Sequence, residues 1–324
     1  MFKNDLDPLY FKGLGVDIVK DAPLTDYTTF QLGGPCRALW NCRHPHQLEQ
    51  TIAYLAKNRL PFILIGGGSN IVVSDHGIDC HVIRYKSSSP LIEQDGNNLI
   101  VTGSTSLDHL ALFAAENGLE GLNYASGVPG TVGGAIVGNA GAFGRQIGDV
   151  VESVELISKT GTKRKAEGRE LKFSYRDSLL KETEKIIICA RLCLIKGHQE
   201  QLLKERQDIL QLREQKHPNL VLHPSAGSIF RNIEPTSRAG KRQAAGWFLE
   251  QAGAKPLKAG GAVVFEKHAN IIVKETGGCA QDVFDLTRQM AQLVQEKYDI
   301  RLIREVRFVG EFEGMPADRR RLFW

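Results

Sequence analysis

The sequence predicts an α+β protein of two βα-type blocks followed by a third, mixed block, and three observations carry that prediction. Short apolar runs of strand character alternate with amphipathic stretches of helical spacing along the chain. Glycine is clustered: ten of the 33 glycines fall between 118 and 148. The 324 residues also exceed what a single hydrophobic core serves, about 250 to 300 residues.

The first block, 1–85, contains QLEQTIAYLAKN (47–58), with apolar residues at helical spacing. FILI (62–65), the turn GGGSN, IVV (71–73) and a strand-like CHVIRY (80–85) follow it. KSSSPLIEQDGNN reads as a boundary or a hairpin tip. The second block, 86–200, opens with the strand NLIVTG (98–103) and the helix SLDHLALFAAEN (106–117), which Gly118 ends. After the glycine-dense segment, VVESVELIS (150–158) alternates as a half-buried strand, and Lys159, Thr160 and Gly161 invite a hairpin return. KIIICARLCLI (185–195) reads as a strand buried on both faces, with Cys189 and Cys193 as buried thiols.

The polar helix HQEQLLKERQDILQLREQKHP (198–218), stopped by Pro218, is expected to space the second block from the third, 201–312. That block reads as strand SIF (228–230), helix (243–253), strands AVVF (262–265) and NIIV (270–273), helix (279–299) and strand RLIREVRFV (301–309). The tail, 313–324, with Arg319, Arg320 and Arg321, reads as a frayed terminus.

Composition narrows the function. The net charge of +4, from 41 Lys and Arg against 37 Asp and Glu, is interspersed and too weak to imply nucleic acid. No run of 18 apolar residues suggests a membrane span. Six cysteines without a CxxC pair, and a start without a secretory pattern, point to a reducing cytoplasm. Small-molecule partners, and a monomer or weak homo-oligomer, are expected.

Two segments carry chemistry. In GGGSN, the successive Gly66, Gly67 and Gly68, followed by Ser69 and Asn70, can expose bare N–H groups to an anion. The pattern meets neither the dinucleotide GxGxxG nor a Walker loop. In SGVPGTVGGAIVGNAGAFG (126–144), so many glycines mean that something lies close to the backbone. Its Ser126, Gly127, Pro129, Gly130, Thr131, Gly133, Gly134, Asn139 and Gly141 suit a pyrophosphate and the edge of a flat heterocycle, or else a glycine-rich packing crossover. Two such segments on separate blocks suggest one extended dinucleotide clamped between them.

Eight segments in order, TTFQLGGP (28–35), LIGGGSNIV (64–72), SGVPGTVGGAIVGNAGAFG (126–144), FSYRDS (173–178), SAGSIFRN (225–232), AAGWFLEQAG (244–253), KHANIIV (267–273) and REVRFVG (304–310), give the chain its resemblance to the UDP-N-acetylenolpyruvoylglucosamine reductases. The resemblance implies a two-subdomain FAD-binding fold of the PCMH/vanillyl-alcohol-oxidase type with a C-terminal α+β substrate domain. It also implies non-covalent FAD, NADPH as co-substrate and a place in peptidoglycan synthesis, hence in cell wall biogenesis, cell shape and cell division. Hydride would reach the enolpyruvyl ether of UDP-N-acetylglucosamine and a proton would complete UDP-N-acetylmuramate. An FAD-dependent sugar or lactone oxidase of the same fold, or a non-catalytic nucleotide-binding regulatory protein, are the alternatives.

By the same resemblance Arg176 is the cation on the substrate carboxylate, where its planar fork suits the task. Without the resemblance, a surface ion pair with Asp177 reads equally well. Ser228 matches the proton donor, Glu305 the acid that shares developing charge, and Asn232 a substrate contact. The Glu305 role needs burial and a raised pKa; strand alternation instead puts Glu305 opposite Val306, which favours exposure. His268 could line the site or be a satisfied structural histidine. Only 51 residues separate Arg176 from Ser228, so the resemblance is to the kind lacking a substrate-closing tyrosine loop, and Tyr175 is not that tyrosine.

Overall fold

The computed structural model describes residues 8–234 and 242–315, so the arginine-rich tail and the first seven residues lie outside the described residues. The first block folds as a four-stranded sheet in the order Asp17–Lys20, Cys36–Cys42, Ile78–Tyr85, Phe62–Ile65. The two pairings among Cys36–Cys42, Ile78–Tyr85 and Phe62–Ile65 are parallel, and Asp17–Lys20 adds an antiparallel edge. Helix Pro45–Lys57 makes the crossover. Its Leu48, Ile52 and Leu55, spaced on one helical face, are fully buried with Trp40, Phe62 and Ile83. Each such side chain contributes about 1.5–3 kcal/mol of transfer free energy.

The second block is a five-stranded antiparallel sheet, Lys163–Glu167, Val151–Ile157, Ile186–Cys193, Asn98–Thr102 and Ile92–Asp95. The polar KSSSPLIEQDGNN stretch thus ends in a hairpin, with Gly96 at positive φ between Ile92–Asp95 and Asn98–Thr102. Leu107, Leu110, Ala111 and Ala114 of helix Leu107–Glu116 share the core with Leu99, Val101 and Leu192 of the sheet. Expectation fails at the cysteines of the central strand: Cys193 is exposed and Cys189 half-buried, because Cys189, Arg191 and Cys193 alternate onto the less buried face while Ala190 and Leu192 face the core. All six cysteines are free thiols.

The helix expected as a spacer, Gln199–Lys216, instead lies along Leu107–Glu116. Among its described residues only Leu202 and Arg206 are buried, and polar bonds hold it in place. Arg206 pairs with Asp108 at 2.7 Å, and Arg213 donates to the carbonyls of Ser126 at 2.7 Å and Tyr124 at 3.1 Å.

In the third block, helices Ala245–Ala252 and Ala280–Tyr298 pack with the antiparallel strands Lys258–Ala259, Ala262–Val264 and Ile272–Lys274. Two sequence readings are corrected. SIF forms no ladder: Ser228 and Phe230 make single bridges to Ile271 and Arg304. Of 301–309 only Arg307–Val309 is a strand, and it pairs in parallel with Ile71–Val73 of the first block. The blocks therefore share structure. Phe30, Leu32 and Val72 lie in the third block's core, and the Asp75 carboxylate accepts from the Ala280 and Gln281 N–H groups at the start of Ala280–Tyr298.

Candidate active site

A cavity of about 700 Å³ opens where the three blocks meet. The GGGSN turn lies at the junction because its polar atoms reach in two directions. Ser69 Oγ donates to the Pro129 carbonyl at 3.1 Å, toward the second block. Asn70 accepts from the Arg307 N–H at 3.1 Å and its Nδ2 donates to the Glu305 carbonyl at 3.3 Å, toward the third. The two glycine segments touch: a Cβ added to Gly67 would stand 2.9 Å from Gly130 Cα, so only bare backbone permits that approach.

Gly66, Gly67, Gly68, Ser69 and Asn70 line the cavity, with Pro129, Gly130, Thr131, Gly133, Gly134 and Gly141 facing them. Ser126, Gly127 and Asn139 are not on that lining. Ser126 is fully buried and its carbonyl serves Arg213; the Gly127 N–H donates to Asp108 at 2.6 Å. Asn139, in the left-handed region at φ 46°, ends helix Val132–Gly138. Its side chain bonds Gln146 at 2.9 Å, the Ser174 carbonyl at 2.6 Å and the Gly148 N–H at 3.0 Å.

The same cavity lining brings together Arg176, Ser228, Glu305 and Asn232. Ser228 is placed by its successors: Phe230 donates to Asn270 Oδ1 at 3.0 Å and accepts from Asn270 Nδ2 at 2.8 Å, while Glu305 N donates to the Ile229 carbonyl at 2.7 Å. The segment bearing the serine is thus held between 268–271 and 303–305. Asn270 is 3% exposed, so these bonds are shielded from water.

Glu305 is not exposed, as strand alternation favoured; residues 301–306 lie outside any ladder, so alternation does not govern them. Its side chain is 21% exposed, with Oε1 2.9 Å from Arg176 Nε. That N–H is not aligned for a hydrogen bond, so the pair is held by charge. Burial pushes the Glu305 carboxyl above its ordinary value, and the cations Arg176, Arg231 and Lys181 only partly offset this. Arg176 pairs with Glu305 rather than with Asp177, whose partner is Lys181 at 3.4 Å.

Arg176 is the third residue of a turn closed by reciprocal bonds between Ser174 and Asp177 at 3.1 and 3.0 Å, with φ 56°. Glycine is the usual occupant of that position. An arginine there costs about 1–3 kcal/mol, which the surroundings must over-determine. Tyr175, beside it, accepts from the Asn232 N–H at 3.2 Å, and Arg242 stacks 4.0 Å over its ring. The stretch between Arg176 and Ser228 is taken up by strand Ile186–Cys193 and helix Gln199–Lys216, as the short spacing implied.

Sequence reasoning missed the cations of this site. Lys181 and Arg307 line the cavity, and Arg231 faces Lys181 and Glu305. Arg231 and Arg307 carried a signal, since both stand inside the quoted motifs SAGSIFRN and REVRFVG. His268 does both things left open for it: it lines the cavity, and its Nδ1 accepts from the Asn270 N–H at 3.2 Å. Burial holds its pKa down, and that of neighbouring His217 down to about 4, so both rings are neutral at pH 7.

Residues 36–167 match the family model described as an FAD binding domain, and 217–309 the one described as UDP-N-acetylenolpyruvoylglucosamine reductase, C-terminal domain. The reductase of that name from Caldanaerobacter subterraneus subsp. tengcongensis is 37% identical over 89% of this chain and 92% of its own length. The one from Caldicellulosiruptor bescii is 36% identical over 96% and 97%. The crystal structure of the reductase from Thermus caldophilus superposes with a TM-score of 0.73, at 31% identity, over 90% of this chain and 98% of that one. Both glycine segments, Ser228, Asn232 and Glu305 fall within the residues that the family models match, and nearly the full length of each relative is spanned: the chain belongs to the UDP-N-acetylenolpyruvoylglucosamine reductase family.

Proposed function

We propose that this chain is the NADPH-dependent flavoenzyme that reduces the enolpyruvyl ether of UDP-N-acetylglucosamine to UDP-N-acetylmuramate in peptidoglycan precursor synthesis. The observation that carries this reading is the convergence of Arg176, Ser228 and Glu305 in the lining of a cavity that the two glycine segments also line. The donor set fits FAD: residues 66–70 and 129–134 offer bare backbone, and the volume of about 700 Å³ is of the size that holds a large cofactor. When bound there, FAD supplies the hydride.

The chain's residues then manage charge and one proton. Hydride addition to an enol ether bearing a carboxylate places negative charge on that carboxylate. Arg176 holds it, using the planar fork that its loose pairing with Glu305 leaves able to turn to a second carboxylate. Ser228 Oγ delivers the proton to the neighbouring carbon. A hydroxyl serves as the acid only because the acceptor is strongly basic and nearby cations, Lys181, Arg231 and Arg307, stabilise the alkoxide left behind. Glu305, whose carboxyl burial shifts toward the protonated form, shares the developing charge. Asn232, whose Oδ1 accepts from the Ala245 N–H at 3.2 Å, presents the adjoining edge of the cavity to substrate.

A cytoplasmic monomer or weak homo-oligomer accords with six free thiols and with soluble co-substrates. Among the described residues no helix is long and apolar enough to cross a membrane. The test is the visible spectrum of the purified protein. It should be yellow, bleach with NADPH, and recover its colour anaerobically only when the enolpyruvyl UDP-sugar is added. A preparation that stays colourless after incubation with FAD would overturn the reading.

A further inference from the structure

The left-handed turn that carries Arg176 needs an explanation, because the reciprocal Ser174 and Asp177 bonds close it without engaging the carbonyl of Arg176 itself. That carbonyl accepts a hydrogen bond from Lys181 Nζ, which also lies 3.4 Å from Asp177 Oδ1. Lys181 is the third residue of the next helical turn, Leu179–Glu182, whose N-cap Ser178 is anchored by donation to the Val137 carbonyl at 2.7 Å. The ammonium therefore bridges the turn to a fixed element. Its side chain is 17% exposed, and it lines the cavity between Arg176 and the opposing cations.

We infer that Lys181 is a positioning residue: by tying the Arg176 carbonyl to Asp177 it holds the strained turn that presents the Arg176 guanidinium to the substrate's carboxylate. The inference rests on the reading of Arg176 given above. An absent amine leaves that turn free to relax toward negative φ, and the guanidinium swings with it; a neutral amine still donates to the carbonyl but loses its charge attraction to Asp177, and so holds the turn less firmly.

The groups facing Lys181 set the pH range. Asp177 lies on the turn that carries Arg176, Arg231 on the segment after Ser228, Arg307 on the strand Arg307–Val309, with Arg176 and Glu305 beside them. Burial, then Arg231 and Arg307, lower the Lys181 pKa to about 8, with Asp177 opposing. The brace accordingly loosens as pH rises through about 8.

The experiment measures binding to the oxidised, FAD-loaded enzyme without NADPH, read as the perturbation of the flavin spectrum. The two probes are the enolpyruvyl UDP-sugar, which has the carboxylate, and UDP-N-acetylglucosamine, which lacks it. In Lys181→Met the first should bind at least tenfold more weakly and the second within twofold of the parent. Affinity of the parent for the carboxylate ligand should decline above pH 8; the decline should vanish in Lys181→Met and move to higher pH in Lys181→Arg. Equal weakening of both probes, parent-like binding, or an alkaline decline unmoved in Lys181→Arg would overturn the inference. If Lys181→Met does not fold, the Lys181→Arg profile decides alone. A parent enzyme that binds both probes equally would instead overturn the role of Arg176.

Discussion

Arg176 and Glu305 stand 2.9 Å apart, one on a turn of the second block and the other on a segment of the third. Because burial raises the Glu305 pKa, its carboxyl contributes stability that is fully present below the ordinary value of 4.5 and is lost as pH rises through the folded-state value. We therefore expect the melting temperature of Glu305→Gln, relative to the parent, to rise as pH is taken from 4 to 8. The same variant should bleach with NADPH but reoxidise with substrate more slowly by roughly 10²–10⁴-fold. A melting difference independent of pH would contradict the raised pKa.

Ser228→Ala separates the two halves of the turnover. Reduction by NADPH should persist, while recovery of the flavin colour by the enolpyruvyl UDP-sugar slows by roughly 10²–10⁴-fold. Equal losses in both half-reactions, measured by stopped flow, would make Ser228 a structural residue.

Gly134→Ala isolates the cofactor cavity from folding. The added Cβ would meet only Thr131 Oγ1, at an ordinary 3.6 Å, and would otherwise occupy cavity space. Inside helix Val132–Gly138 alanine is favoured over glycine by roughly 0.8–1 kcal/mol, so the flavin-free protein should melt higher. FAD should bind at least tenfold more weakly in a fluorescence titration. Gly67→Ala should instead lose both affinity and stability, since its Cβ strikes the backbone of Gly130.

Asn270→Ala removes both bonds to the buried backbone of Phe230 and leaves its N–H and C=O unpaired. We expect a loss of about 2–4 kcal/mol in denaturant unfolding, together with slower reoxidation, because Ser228 is two residues away. Unchanged reoxidation in a destabilised protein would show that the serine is held independently.

Asp108 ties helix Gln199–Lys216 to the glycine segment through Arg206 and the Gly127 N–H. Burial raises its pKa, but the Arg206 bond, the Gly127 bond and the Arg206 charge outweigh it, so the net shift is downward from 3.8. Stability from such a group is present above the unfolded value and is lost as pH falls through the folded one. Asp108→Asn should cost about 1 kcal/mol at pH 7, discounted for the carboxylate's partial exposure, with the deficit shrinking below pH 4.

What could be read in the sequence followed from local periodicity and from glycine density. Helix Pro45–Lys57 and the hairpin of Val151–Ile157 with Lys163–Glu167 are stated by their own residues. The burial of Glu305 was hidden because alternation informs only where a ladder continues, and here it stops at Arg307. Helix Gln199–Lys216 looked like a spacer because its attachments are guanidinium bonds to carbonyls and a carboxylate, which leave no apolar stripe. Arg176, Ser228 and Glu305 were legible through family motifs alone. Lys181 was not, because its function lies in a backbone carbonyl five residues earlier that no side-chain pattern reports.

The pairing of Arg307–Val309 with Ile71–Val73 also has a temporal meaning. Asn70 and Glu305 are 235 residues apart, and a ribosome finishes the GGGSN turn long before it makes the strand that completes it. Until then the first block presents an unmatched strand edge and the flavin cleft lacks its third wall. The wall that carries Glu305 and Arg307 is thus made long after the glycine segments, and truncation before residue 305 removes that wall while leaving both glycine segments in the chain.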